Sequence, residues 1–200
     1  MRIFWQYGSV LLLGIIAAQA QSPVLKTYHD AKYGVTFRYP AEWKSGIGFY
    51  LPSPILFEPE IGQGPARAMF GFNALEKGGP YSGTDLNGVE FVYNVIPRSN
   101  ATQCRKRVEG NLNSSQRRVE ATLRGVTYDH FSYDAAGLGH QVTREVYATA
   151  RNGHCYLFEE AIHTISIDDA KFLSAAQSKQ LRDQLDRVMQ SVRIEYAHRK

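Results

Sequence analysis

The sequence has no hydrophobic run long enough to cross a bilayer as a helix. Its longest, Val10 to Ala18, is about nine residues against the roughly 20 that a spanning helix needs. Catalytic signatures are missing as well. There is no glycine-rich phosphate loop and no Gly-x-Ser-x-Gly elbow, and Gly137-x-Gly139 precedes no helix, so it reads as a hairpin loop. The six histidines (His29, His130, His140, His154, His163 and His198) include no His-x-His or His-x3-His spacing, which leaves a metal site without a local motif. An excess of one charge is also lacking. The net charge of +4 is too mild to predict nucleic-acid binding, and one of those charges, Arg2, lies in the leader. No internal repeat or low-complexity tract is present, and a composition 44% hydrophobic and 21% charged fits one globular domain.

What the N-terminus does contain is an export signal. Met1-Arg2, the apolar run and the small residues Ala18-x-Ala20 predict a signal peptide over residues 1–20, cleaved after Ala20. The residue directly after that point is Gln21 and not a cysteine, so the expected product is a periplasmic or secreted soluble chain, residues 21–200, without a lipid or membrane anchor. The only cysteines are Cys104 and Cys155. An even number in an exported chain favours a disulfide; two inert buried thiols or one reactive cysteine are the alternatives.

Val35, Phe37 and Tyr39 alternate with Thr36 and Arg38, the period of a half-buried strand. Pro40 stops it, and Trp43 follows as an aromatic cover for the core's edge. Residues 21–30 before it read as a leader. Gly46 to Gly88 is rich in loop residues, interrupted by a strand in which Ala68, Phe70, Phe72 and Ala74 alternate, and ends in a predicted turn at Asn87-Gly88. Val89 to Val95 is the next strand. Asn100 is placed to cap a helix with Gln103 at N3 and Cys104, Val108 and Leu112 on one face. Four strands then follow, Arg118 to Leu123, Val126 to Tyr133, Gln141 to Ala150 and His154 to Thr164, the last two joined by Asn152-Gly153 as an antiparallel hairpin. The C-terminal stretch, residues 168–190, is predicted helical. A short helix runs from Asp168-Asp169 through Phe172 and Leu173, and a longer one carries Leu181, Leu185, Val188 and Met189 on one stripe. Val192 to Ile194 closes the chain as a strand. The class is α+β.

The Gly-aromatic strand running into Tyr39-Pro40-x-x-Trp43, the antiparallel meander with its turn glycine, and the closing helix and strand, Leu181 to Ile194, resemble the PsbP-like fold group. The extrinsic photosystem II protein PsbP, Ran-binding import factors and exported bacterial proteins such as DcrB share that fold. The resemblance spans most of Tyr28 to Tyr196. It implies an antiparallel sheet of about six or more strands packed against helices, an α/β/α sandwich, and a role in binding or assisting assembly rather than catalysis, although fold alone does not settle function. Residues 46–88 and the two cysteines depart from the general pattern, and no photosystem-docking or Ran-contacting motif matches these positions.

The expected function is therefore an exported non-enzymatic binding or assembly accessory protein of the cell envelope, with no cofactor and no metal. Its partner would be another envelope protein or a small ligand, not nucleic acid. Candidate binding residues are the apolar side chains set among turn residues, Phe49, Tyr50, Leu56, Phe57 and Tyr81, and the basic residues Arg105 and Arg107. The alternative is a small cysteine-dependent hydrolase or thiol enzyme using Cys155 with a nearby histidine, one of His130, His140 and His163. His154 cannot serve, because adjacent residues of a strand point to opposite faces. The bland reading of the histidines, and of Glu159-Glu160, is that of polar surface side chains.

Overall fold

The computed structural model describes residues 24–45, 66–74, 79–109, 117–137, 139–166 and 170–195. The expected leader at 1–20, the aromatic residues Phe49, Tyr50, Leu56 and Phe57, Leu112 and Asp168-Asp169 lie outside them. In chain order the elements are β1 (Leu25–Asp30), β2 (Val35–Pro40), β3 (Lys44–Ser45), β4 (Ala68–Asn73), β5 (Leu86–Pro97), α1 (Ala101–Glu109), β6 (Arg117–Leu123), β7 (Val126–Gly137), β8 (His140–Arg151), β9 (His154–Ile165), α2 (Ala175–Ser191) and β10 (Arg193–Ile194). The strands form a seven-stranded sheet, β3-β4-β5-β9-β8-β7-β6, and a three-stranded one, β1-β2-β10. Every pairing in both is antiparallel. The class is α+β, as expected.

Local chemistry sets the meander. Asn152 and Gly153, at φ 52° and 73°, make the predicted two-residue turn between β8 and β9, and Arg124 and Gly125, at 50° and 75°, make the equivalent turn between β6 and β7. Both turns need left-handed backbone at two successive positions, the geometry whose twist matches the flanking strands. The capping of α1 is also as expected: Gln103 N donates to Asn100 Oδ1 at 2.9 Å, and Asn100 N donates to Gln103 Oε1 at 3.0 Å.

The large sheet is covered on both faces, so its central strands β5 and β9 are buried nearly throughout rather than on alternate residues. On one face lie α2 and the small sheet. Phe37 of β2 enters that core with its ring 5.1 Å from Phe91, 5.6 Å from Phe70 and 4.9 Å from Tyr28. Leu181, Leu185, Val188 and Met189 of α2 are buried beside it, the stripe read from the sequence. Trp43 is buried against Phe72 at the same core's edge. On the other face α1 packs over β8, with Cys104 and Val108 buried against Phe131, Val146 and Leu157.

Three expectations are corrected. The supposed leader before Asp30 is strand β1, because its backbone groups pair along the whole of β2 even though Lys26, Thr27 and His29 are exposed. Asn87-Gly88 is not a turn. It sits inside β5 at a bulge, where the register with β9 shifts between Leu86 and Gly88. A Cβ at Gly88 would stand 2.9 Å from the Phe72 carbonyl oxygen, so glycine serves the close approach of β4. Phe172 and Leu173 are not helical, since the backbone there bonds sideways: Lys171 N to Gly83 O at 3.0 Å and Asp85 N to Lys171 O at 2.9 Å.

Candidate functional site

The large sheet carries polar side chains on both faces, and the two sets differ in access. On the α1 face, Arg144 Nη1 donates to Glu159 Oε1 at 2.8 Å, and His163 Nε2 stands 3.4 Å from Glu90 Oε2. These four side chains surround Ala161: Arg144 and Glu90 are its cross-strand partners, and Glu159 and His163 lie two residues to either side along β9. All four are buried, which corrects the surface reading of Glu159 and His163. Arg144 is already paired with Glu159 there and all four side chains are buried, so this set is closed to an outside ligand.

The α2 face is open. Asp134 of β7, Thr143 of β8, Ser178 and Arg182 of α2, and Phe172 and Leu173 just before α2 line a solvent-open cleft of about 530 Å³. Its wall is fixed by Asp85, whose Oδ1 accepts Leu173 N at 2.8 Å. The helix then starts at a capping box. Ser174 Oγ accepts Gln177 N at 3.2 Å, and Gln177 Oε1 accepts Ser174 N at 3.0 Å. On the floor Thr143 Oγ1 donates to Asp134 Oδ1 at 2.6 Å. Ser178, Arg182 and Asp186 follow at four-residue spacing and form one edge of the helix.

Behind the cleft, one step further along the same sheet face, Glu145 and Glu160 are direct cross-strand partners. Glu145 is held by Ser132 Oγ at 2.8 Å and by His130 Nε2 at 2.7 Å, and the His130 ring stacks on Tyr147 at 4.4 Å. Glu160 is 3% exposed, and its Oε1 has no hydrogen-bond partner. Burial, with the charges of Asp186 and Glu145 added, pushes the Glu160 carboxyl well above the usual carboxylate range. Burial and then Asp183 and Glu145 also raise Asp186, against the opposing pull of His130 and Lys179. Like charges directly opposite on paired strands repel, and a proton held by Glu160 relieves that repulsion. Glu160 is therefore no more a surface side chain than Glu159.

Cys104 and Cys155 form a disulfide, with Cα atoms 5.2 Å apart. It ties α1 to β9, and it removes the thiolate that the cysteine-enzyme alternative needs; Cys155 is also fully buried. The other residues singled out in the sequence do not come together. Tyr81 is buried, stacked on Phe72 at 5.8 Å, with its hydroxyl pKa raised by burial. Arg105 and Arg107 lie on α1, across the sheet from it, where Arg105 Nε stands 3.4 Å from Asp129 and Arg107 is exposed. Arg118 shares Asp129, whereas Arg124 bonds the Gln190 carbonyl at the end of α2, so the basic residues are not one patch. Sequence reasoning missed the cleft, whose lining is drawn from β7, β8, β9 and α2 together with Asp85 and the segment Phe172-Leu173.

Together these features define an α+β sandwich, with α1 on one face of the central sheet, α2 on the other, and a polar cleft beside α2. No family model and no curated protein matches the sequence. Among solved structures the chain is similar to the cyanobacterial PsbP, CyanoP, of Synechocystis sp., with 16% identity, 94% of this chain and 98% of that chain covered, and a TM-score of 0.45. It is similar to the Ran-binding protein Mog1p of Saccharomyces cerevisiae, with 10% identity, 86% and 96% covered, and a TM-score of 0.47. LpqN of Mycobacterium tuberculosis, involved in cell envelope biogenesis, is similar at 10% identity, with 86% and 90% covered and a TM-score of 0.43. A PsbP and a Ran-binding protein thus stand among the similar structures, as the resemblance in the sequence implies. The likeness is one of fold, and function is read from this chain's own residues.

Proposed function

We propose that this is an exported, non-enzymatic binding protein of the cell envelope, and that it holds a small ligand in the cleft beside α2 without a cofactor. The observation that carries this reading is the cleft itself. Its volume of about 530 Å³ is open to solvent, its walls mix apolar and polar side chains, and among the described residues its lining contains neither histidine nor cysteine. Export is supported by the signal-like start of the chain and by the disulfide, a bond that persists in oxidising compartments. Among the described residues no helix is long and apolar enough to cross a membrane.

The test is native mass spectrometry of the protein recovered from an envelope fraction. Wild type is expected to carry a small-molecule adduct that Thr143→Trp, which fills the cleft floor, abolishes while leaving the circular dichroism spectrum unchanged. Wild type without any adduct, or an adduct retained by Thr143→Trp, overturns the reading.

A further inference from the structure

The cleft carries both signs of charge and keeps them apart. Asp134 reaches it from β7 and Arg182 from α2, and among the described residues Arg182 pairs with no carboxylate. Asp134 is engaged at Oδ1 by the Thr143 hydroxyl alone, at 2.6 Å. The other lining carboxylate, Asp85, is taken up in the wall by the Leu173 N–H. A guanidinium and a carboxylate thus face one open space from two separate elements, each without its counter-charge. A ligand with the reverse pair of charges satisfies both.

The surroundings give that ligand an orientation. Ser178 and Arg182 both belong to the N-terminal half of α2, so the hydroxyl and the guanidinium that suit an anion stand on the helix side of the cleft. Asp134 stands on the sheet next to the row that holds Glu145, so the sheet side of the cleft carries carboxylate and the helix side guanidinium. Phe172 is 86% exposed, an aromatic ring at the rim that a ligand would cover, and Leu173 and Ile162 extend the apolar wall.

We infer that the cleft binds a free α-amino acid, its carboxylate on Arg182 and the Ser178 hydroxyl, its ammonium on Asp134 and an apolar side chain against Phe172. The ion pairs select for the backbone of the ligand, and the volume leaves room for a large side chain. This inference rests on the cleft being the binding site.

The test is an NMR titration of the ¹⁵N-labelled mature chain with each standard L-α-amino acid. For the tightest ligand it is repeated with the Nα-acetyl derivative, which lacks the ammonium, and the amide, which lacks the carboxylate. At least one apolar amino acid should give saturable shifts at Thr143, Ser178 and Arg182, and both derivatives should bind about tenfold or more weakly. Arg182→Gln should weaken the amino acid but abolish discrimination against the amide, and Asp134→Asn should abolish discrimination against the acetyl form. The inference is overturned if no amino acid gives saturable shifts, if both derivatives bind as tightly as the parent, or if Arg182→Gln leaves affinity unchanged. An adduct sensitive to Thr143→Trp, together with no binding of any amino acid, would reject the ligand class while the cleft stands. Absence of both would reject the two together.

Discussion

Glu160 holds a carboxyl that the fold would rather keep neutral, and Asp30 one that it would rather keep charged. The folded-state pKa of Glu160 is raised, so the native protein binds its proton more tightly than the unfolded chain does. Its contribution is therefore most favourable below the unfolded value of 4.5, and stability falls as pH rises from there toward the raised folded value. Glu160→Gln keeps the shape of the neutral form; urea midpoints followed from acid to mildly alkaline pH should show the variant gaining on wild type as pH rises, with no advantage in acid. Asp30 has the opposite sign. Burial raises its pKa, but the hydrogen bond and charge of Arg67, with the backbone N–H groups of Lys32 and Tyr33, more than offset this and hold it below 3.8. That stability is present above 3.8 and lost as pH falls through the folded value. Asp30→Asn should cost about 1–2 kcal/mol at neutral pH, less than for a fully buried pair because Arg67 is 32% exposed, and should remove the matching part of the acid-side loss. Trp43 belongs to the scaffold: it is buried and does not line the cleft, and its replacement by Ala should cost about 3–5 kcal/mol in the same titration and leave the native mass adduct in place.

Among the elements, α1 depends on a covalent tie and α2 does not. α1 has nine residues and buries only Cys104 and Val108, whereas α2 buries four apolar side chains and starts at a capping box. Replacing Cys104 and Cys155 by Ser should cost about 2–5 kcal/mol. Hydrogen exchange should quicken through α1 and the start of β9 with little change in α2; equal quickening in both helices would show that the bond supports the whole fold rather than one element. The same contrast explains what was legible in the sequence. The α2 stripe, the Asn100 cap and the Asn152-Gly153 hairpin are local patterns, in which the residues that decide the structure lie within a turn or a few residues of each other. β1 escaped notice because Lys26, Thr27 and His29 form a strand by pairing with β2, not by burying a face. Phe172 and Leu173 were misread because bonds to residues 83–85, remote in sequence, outweigh their local helical pattern. The cleft was invisible for the same reason, since Asp134 and Thr143 meet Arg182 only once the β7–β8 register and the docking of α2 are fixed.

Over the whole molecule, the two ends of the described chain meet at β2, with β1 along one side and β10 along the other. β2 in turn sets Phe37 among Phe70, Phe91 and Tyr93 of the large sheet, so a single core joins both sheets and α2. This arrangement predicts that the last strand is integral to the fold. Deleting residues 192–200 removes the buried side chains of Val192 and Ile194, the pairing of β10 with Thr36 and Val35, and the bond from Glu195 N to Gly34 O. At about 1.5–3 kcal/mol for each buried aliphatic side chain, the expected cost is about 3–6 kcal/mol. Trp43 is the only tryptophan of residues 21–200, and it sits at the edge of this core, so in a chain of those residues its fluorescence and the far-ultraviolet circular dichroism report on the same body. Both signals should shift together to a lower urea midpoint and keep one transition, because no boundary in the Phe37 core allows the small sheet to melt alone. Two separated transitions would mean that the small sheet is an independent unit, and an unchanged midpoint would mean that β10 is dispensable; either result would rule out the single core inferred from the packing of Phe37.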